Sequence, residues 1–435
     1  MQKSKATVRL GYPCMNLSLS NSKTRTVTQK TMQGLKDKEA AWHKLLDIGN
    51  HNLATLYRVL DWNYLNQVSF FRIYSDLFPH MSNANLSSFV GEKRCQEYRD
   101  LVPFEKEIKK IGVKLFEYGV RATFHPNEYS CLGSDKQEVL ELAVRDLDWQ
   151  AKMVRMFEDA DPHRAEEFKK HFKDSVLVMH GGGQYGDKKA TLKRWAKTYK
   201  NMPEYLRKRL VIENDERNYS PLDLVDFCEE HSIPMVVDFF HQDCYELMHP
   251  DEDKADWSTL LPRTTAVWHQ RDMIPKYHVS EQQPDRRIGT HSHFAFKLPD
   301  CLLHRQSAHP TEHFDIMLEC KMKDLALMKT RSLYPGLETL DAKNEEWTKK
   351  RLEKVKLVNN GKMPDLSELD DKEKGALVEG VSHSVKPAAV YKAKTSEKER
   401  SRSKSKKCSC ANEDIDEDVD VDIKKVKKQV KSKRK

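Results

Sequence analysis

Short apolar runs punctuate the chain, and longer stretches with a helical stripe separate them. Eight runs read as strands: TVRLGY (7–12), SFFRIYS (69–75), RATFH (121–125), SVLVMH (175–180), RLVIEN (209–214), PMVVDF (234–239), PKYHVS (275–280) and DIMLEC (315–320). Each is short and rich in β-branched or aromatic residues. The intervening stretches are long enough for helices. LKDKEAAWHKLLDIG sets Leu35, Trp42, Leu45, Leu46 and Ile48 on one apolar stripe. SPLDLVDFCEEHS (220–232) opens with Ser220 as N-cap and Pro221 in the first turn. Strand–helix alternation repeated eight times predicts an α/β chain folded as a (β/α)8 TIM barrel. A doubly wound open sheet is the competing architecture. The number of strands and the polar residues at their ends favour the barrel.

After about residue 335 the alternation fades. This divides the chain into a barrel domain at 1–335, a helical extension at 336–360 and a disordered charged tail at 361–435. The tail ends in a basic block (392–407), an acidic block (413–422) and a second basic block (424–435). From Lys392 onward there are sixteen Lys/Arg against nine Asp/Glu, so seven of the net +8 charges lie there. The remainder is nearly neutral, and bulk charge alone does not mark it as a nucleic-acid binder. Nine cysteines without a CxxC pair argue against a disulfide scaffold or a zinc ribbon and for a reducing compartment. No run approaches the roughly 18 apolar residues of a membrane span, so no membrane association is expected. MQKSKATVRLGYP lacks the apolar core of a signal peptide.

The strand ends carry the chemistry. Asp76 follows the second strand, His125 ends the third, His180 the fourth and Glu213 the fifth. Asp238 ends the sixth, with His241 three residues on. His278 lies in the seventh, and Glu319 ends the eighth. In a barrel these ends converge on one rim, where active sites are built. One strand-end histidine is usually structural, and one Asp or Glu usually caps the next helix, as Asp215 and Glu216 are expected to do. Seven strands ending in such groups on one rim are costly without a cation, because like charges repel and buried charges need partners. Imidazole with carboxylate and no thiolate suits Zn, Mn or Fe. Several carboxylates suit a polynuclear cluster, in which a bridging glutamate holds two ions. His291 and His293, two apart in GTHSHFAF, face one side of an extended segment and are candidates for a third site.

These residues, in this order, resemble the UV-damage DNA endonuclease family. The matching stretches include RLGYPCMNLSL (9–19), FFRIYSDLFPHMS (70–82), FHPNEYSCLGS (124–134), VLVMHGGGQYGDK (176–188), LVIENDER (210–217), PMVVDFFHQD (234–243), PKYHVSEQ (275–282), RIGTHSH (287–293) and MLECKMKD (317–324). The resemblance spans about residues 7–330 and omits the tail. It implies an endonuclease IV-like TIM barrel that nicks duplex DNA immediately 5′ to UV photoproducts. It further implies a divalent cluster, three Mn2+ with Zn2+ or Mg2+ as substitutes. Carried over, one ion falls to His125, His180 and Glu213, and a second to Glu213, Asp238, His278 and Glu319. A third falls to His241 and His291, with His293. Glu213 is the expected bridge. Lys276 is expected to bind the scissile phosphate or to be modified into a ligand.

The family's Gln–aromatic probe of the duplex becomes Glu128 and Tyr129 here, and many members have Asp where this chain has His293. Tyr12 and Asn16 are expected on the DNA-facing rim, and Lys188 and Arg217 at phosphates. Gly181, Gly182 and Gly183 are expected to let a DNA backbone approach. The partner is damaged double-stranded DNA, the chain is expected to act as a monomer, and the basic tail favours the nucleus in a nucleated host. The rivals are an abasic-site endonuclease on the same barrel and a metal-dependent sugar isomerase.

Overall fold

The computed structural model describes residues 8–19, 22–127, 129–309 and 311–338. Eight parallel strands form the core: β1 Val8–Pro13, β2 Phe70–Arg72, β3 Arg121–Thr123, β4 Leu177–His180, β5 Leu210–Glu213, β6 Met235–Asp238, β7 Lys276–Val279 and β8 Phe314–Leu318. Their order is β3-β2-β1-β8-β7-β6-β5-β4. A bridge between Phe124 and Leu177 joins the two ends of that order, with Phe124 N–H donating to Val176 O at 2.9 Å. The chain is therefore a TIM barrel, and all eight expected runs contribute a strand.

Alternation along each strand separates two cores. Leu10, Tyr12, Phe71, Ala122, Leu177, Met179, Leu210 and Ile212 join the layer between strands and helices. Val176, Val178, Val211 and Val236, with Trp268, form a small cluster of their own inside the barrel. Local signals explain the helices. Helix Lys38–Leu65 starts at Asp37, whose side chain accepts the Ala40 N–H, and it buries Leu45, Ile48, Leu53, Leu56 and Leu60. It runs well past the expected stripe, because Asn52, Thr55 and Asn63 are buried too and blur the apolar periodicity. Helix Pro221–His231 has the expected cap, completed by Asp223 as a capping box.

Below the barrel, Arg9 Nε donates to Asp315 Oδ1 at 2.5 Å and Arg9 Nη2 to Oδ2 at 2.7 Å. Arg121 Nη1 reaches Oδ2 at 2.6 Å across the interior. Both oxygens of this buried carboxylate are thus occupied. Of the expected helical extension only 336–338 is described. It is a turn that brings Glu338 beside Val8 of β1, not helix. The rest of that segment and the charged tail lie outside the described residues. No helix among the described residues is long and apolar enough to cross a membrane.

Candidate metal centre

The upper ends of the strands bring seven polar side chains into one space. Register does the first part: His180 of β4 pairs with Glu213 of β5, and Asp238 of β6 with His278 of β7. Glu213 is fully buried at the centre. Its Oε2 lies 3.1 Å from His125 Nε2 and 3.5 Å from His180 Nε2. Its Oε1 lies 2.7 Å from His278 Nδ1 and 3.7 Å from His241 Nδ1. His278 Nδ1 is also 3.1 Å from Glu319 Oε1 and 3.8 Å from Asp238 Oδ2. Three close donor groups result: His125, His180 and Glu213; Glu213, His278 and Glu319; Glu213, Asp238 and His241. Glu213 belongs to all three.

The residues around these donors fix their orientation. Asp238 Oδ1 accepts the His241 N–H at 2.9 Å and so caps helix Phe239–Met248. Asn214 pairs with the Asp238 backbone, donating to its carbonyl at 2.9 Å and accepting its N–H at 2.8 Å. Arg72 forms an ion pair with Glu319. The sequence reading missed Arg72 and Asn214. For Arg72 a signal existed, since it lies two residues beyond Phe70 and shares its inward face.

The electrostatics of the site set burial against the pairing of its imidazoles with its carboxylates. Burial opposes ionisation of Glu213, yet His278, His180 and the hydrogen bond from His125 hold its carboxyl well below the usual range. Arg72 and His278 do the same for Glu319 against burial. Burial pushes Asp238 up to about 7, reinforced by Glu213 and Glu319 and opposed by His241. Burial would lower His180 and His241, but the surrounding carboxylates raise them to about 10 and about 9. Burial drives His278 and His291 down to about 4. Among the described residues, buried Nε2 of His180, Nε2 of His278, Nδ1 of His291 and Oδ2 of Asp238 have no hydrogen-bond partner. Buried nitrogens and a carboxylate oxygen left open within one cluster of imidazoles and carboxylates suit divalent cations, and the donor types suit Mn or Zn.

Several expectations need correction. Tyr12 and Asn16 are fully buried, because strand parity turns Tyr12 outward to the helix layer. Its hydroxyl donates to Asn63 Oδ1 at 2.6 Å and accepts from Asn16 Nδ2 at 2.9 Å. Neither residue is on the rim surface. Lys276 is fully buried inside the barrel, 3.3 Å from Thr123 Oγ1. Burial, with Arg72 nearby, pulls its amine well below the usual lysine range. An amine buried this deep in the barrel is not on the rim surface. Lys188 is engaged with Asp223 at 2.8 Å and Tyr245 Oη at 2.7 Å, which lessens its availability to phosphate. His293 is exposed, outside the donor groups, and Asp76 is exposed as well. Asp215 is buried and accepts the N–H groups of Arg217 and Asn218, a turn-forming role.

His291 packs 5.8 Å from His241, ring to ring, at the edge of the cluster. Tyr129 is 51% exposed, and Arg217 keeps half its side chain in solvent. Glu128 lies outside the described residues. The glycines after His180 answer to the protein first. A Cβ on Gly181 would meet the Tyr219 ring at 2.7 Å, and Gly182 has φ +86°.

A (β/α)8 barrel with imidazoles gathered around a buried carboxylate at the strands' C-terminal ends defines a class of TIM barrels with a candidate metal-binding site on the rim. The profile of the UV-endonuclease UvdE family matches residues 8–346. The chain belongs to that family and is a DNA-cleaving enzyme of UV-damage repair. A candidate UV-damage endonuclease of Acanthamoeba polyphaga mimivirus is 33% identical over 79% of this chain and 96% of its own length. The UV-damage endonuclease of Schizosaccharomyces pombe is 28% identical over 74% of this chain, which spans about half of that relative (50%). The UV DNA damage endonuclease of Bacillus cereus is 25% identical over 78% of this chain and 99% of its own length. The crystal structure of SacUVDE has the same fold, with a TM-score of 0.58 and 24% identity over 75% of this chain and 97% of that one.

Proposed function

We propose that this protein nicks duplex DNA immediately 5′ to UV photoproducts by metal-dependent phosphodiester hydrolysis, leaving a 3′-hydroxyl. The observation that carries the reading is Glu213, one buried carboxylate shared by three donor groups. Three divalent ions, manganese first, would be held by His125, His180, Glu213, Asp238, His241, His278, His291 and Glu319. Bound there, they would supply Lewis-acid activation of water and neutralise charge on the attacked phosphate.

The chain's own residues do the rest. Glu213 stays ionised and gives an oxygen to each side of the cluster. Asp238 and Asn214 hold His241 and the start of its helix in place. Arg72 orients Glu319 and keeps its charge. Lys276, fully buried next to Thr123 and with its amine less basic than usual, is the lysine that modification would turn into a ligand. Tyr129 stacks or wedges at the lesion, and Arg217 contacts phosphate. The enzyme works as a monomer.

The basic tail blocks add non-specific DNA affinity and direct the protein to the nucleus where there is one. Truncation after residue 338 is expected to preserve nicking and flatten the salt dependence of binding. An unchanged slope would reject a DNA-binding tail.

The decisive experiment is a nicking assay with manganese on UV-irradiated, abasic and intact duplexes, with the cleavage ends mapped. Cutting 5′ to photoproducts is expected. Cutting of the abasic duplex alone would replace this reading with that of an abasic-site endonuclease.

A further inference from the structure

The loop leaving β3 turns sharply just beyond His125. Ser130 N–H donates to Asn127 O at 2.9 Å and draws the two flanks of Tyr129 together. Tyr129 stands on this turn, half in solvent. The base of the turn is held from inside the protein. Asp146, on helix Gln137–Glu158, is 2% exposed. Its Oδ2 accepts the Asn127 N–H at 2.9 Å and the Ser130 Oγ–H at 2.9 Å. Its Oδ1 accepts from Trp149 Nε1 at 3.2 Å. The Trp149 ring is buried edge-on against Phe124, centroids 6.4 Å apart, immediately before His125. One buried carboxylate thus grips both flanks of Tyr129 and is itself tied to the strand that delivers a donor of the metal centre. Farther along the loop, Arg194 Nε donates to Gly133 O at 2.9 Å.

We propose that Asp146 is a positioning residue for DNA recognition, holding the Asn127–Ser130 turn so that Tyr129 is in place before the duplex arrives. The proposal rests on the reading above that Tyr129 contacts DNA. A turn ordered during folding need not be ordered during binding, so its rigidity is felt as affinity for DNA. Asp146 touches no reacting atom, and its loss weakens substrate binding rather than the chemical step.

A double-mutant cycle on the full chain tests this with a UV-irradiated duplex and manganese. Asp146→Ala is expected to raise KM about tenfold with kcat within about twofold, because several polar contacts to one loop are lost. Tyr129→Ala is expected to act similarly, and the double variant to be no worse than Tyr129→Ala. Asp146→Asn keeps an acceptor oxygen and is expected to fall between the wild type and Asp146→Ala. If Asp146→Ala does not fold, Ser130→Ala removes a single contact and is carried through the same cycle, with a rise of about threefold expected. Additive effects, or reduced stability with an unmoved KM, would overturn the positioning role while leaving the DNA contact standing. Tyr129→Ala with an unmoved KM would overturn the DNA contact, and the positioning role with it.

Discussion

The two ends of the barrel interior both bury charge, and they do so in opposite ways. At the lower end Asp315 meets Arg9 and Arg121, and every carboxylate oxygen is taken. The spare Nη2 of Arg121 is the exception among these atoms, and its guanidinium sits over the Phe70 and Trp268 rings at 5.7 and 5.8 Å. At the upper end four imidazoles and three carboxylates crowd together, with buried nitrogens and an oxygen that make no hydrogen bond among the described residues. A closed ion network needs nothing further. An open one is costly as it stands, and that cost is relieved by a ligand bearing positive charge. The contrast separates structure from function within one set of strands.

The largest expected effect is at the open end. Glu213→Gln should lower nicking by at least about 100-fold while the fold persists, because all three donor groups lose their shared charge. Circular dichroism with the nicking assay checks this, and near-normal activity would refute the central assignment. Asp315→Ala should do the reverse. It leaves two buried guanidinium groups uncompensated and should cost about 3–5 kcal/mol in urea unfolding. Any folded fraction should still show the thermal shift expected of the wild type on adding manganese.

The pH dependence sharpens the comparison further. In metal-free protein His180 and His241 are raised to about 10 and about 9, against about 6.5 when unfolded. Their protonation therefore stabilises the fold fully below about pH 6.5, and this contribution fades as pH rises toward the folded values. A divalent ion held by these imidazoles, as proposed above, would compete with those same protons. The rise in Tm on adding manganese should be larger at pH 8.5 than at pH 6.5, and a pH-independent shift would remove both imidazoles from the donor set. The smallest effect is expected at the exposed His293. His293→Ala should change stability by less than about 0.5 kcal/mol and leave the manganese shift intact.

Much of this was legible in the chain. Each β-branched run ends in its polar residue, so His125, His180, Glu213, Asp238, His278 and Glu319 could be placed on one rim from order alone. Period-two alternation says which residues share a face. Applied strictly, it would also have turned Tyr12 outward and Arg72 inward. Where the reading failed, side chains were judged by position along the chain and not by what packs beside them. Lys276 shares the face of His278, yet depth inside the barrel, not parity, keeps it from the rim. The glycines beside His180 invited a DNA-facing reading, and the neighbour that forbids a Cβ at Gly181 is Tyr219, thirty-eight residues away.

By itself the sequence determined the barrel, the family and the identity of most of the candidate donors, because these depend on local periodicity and on residue type at strand ends. Tertiary structure alone decided that Glu213 lies at the centre, that Asp146 grips the loop bearing Tyr129, and that Asp315 closes its network while Asp238 does not. Those outcomes depend on distances between strands and helices far apart in the chain, and closure of the barrel is what sets them.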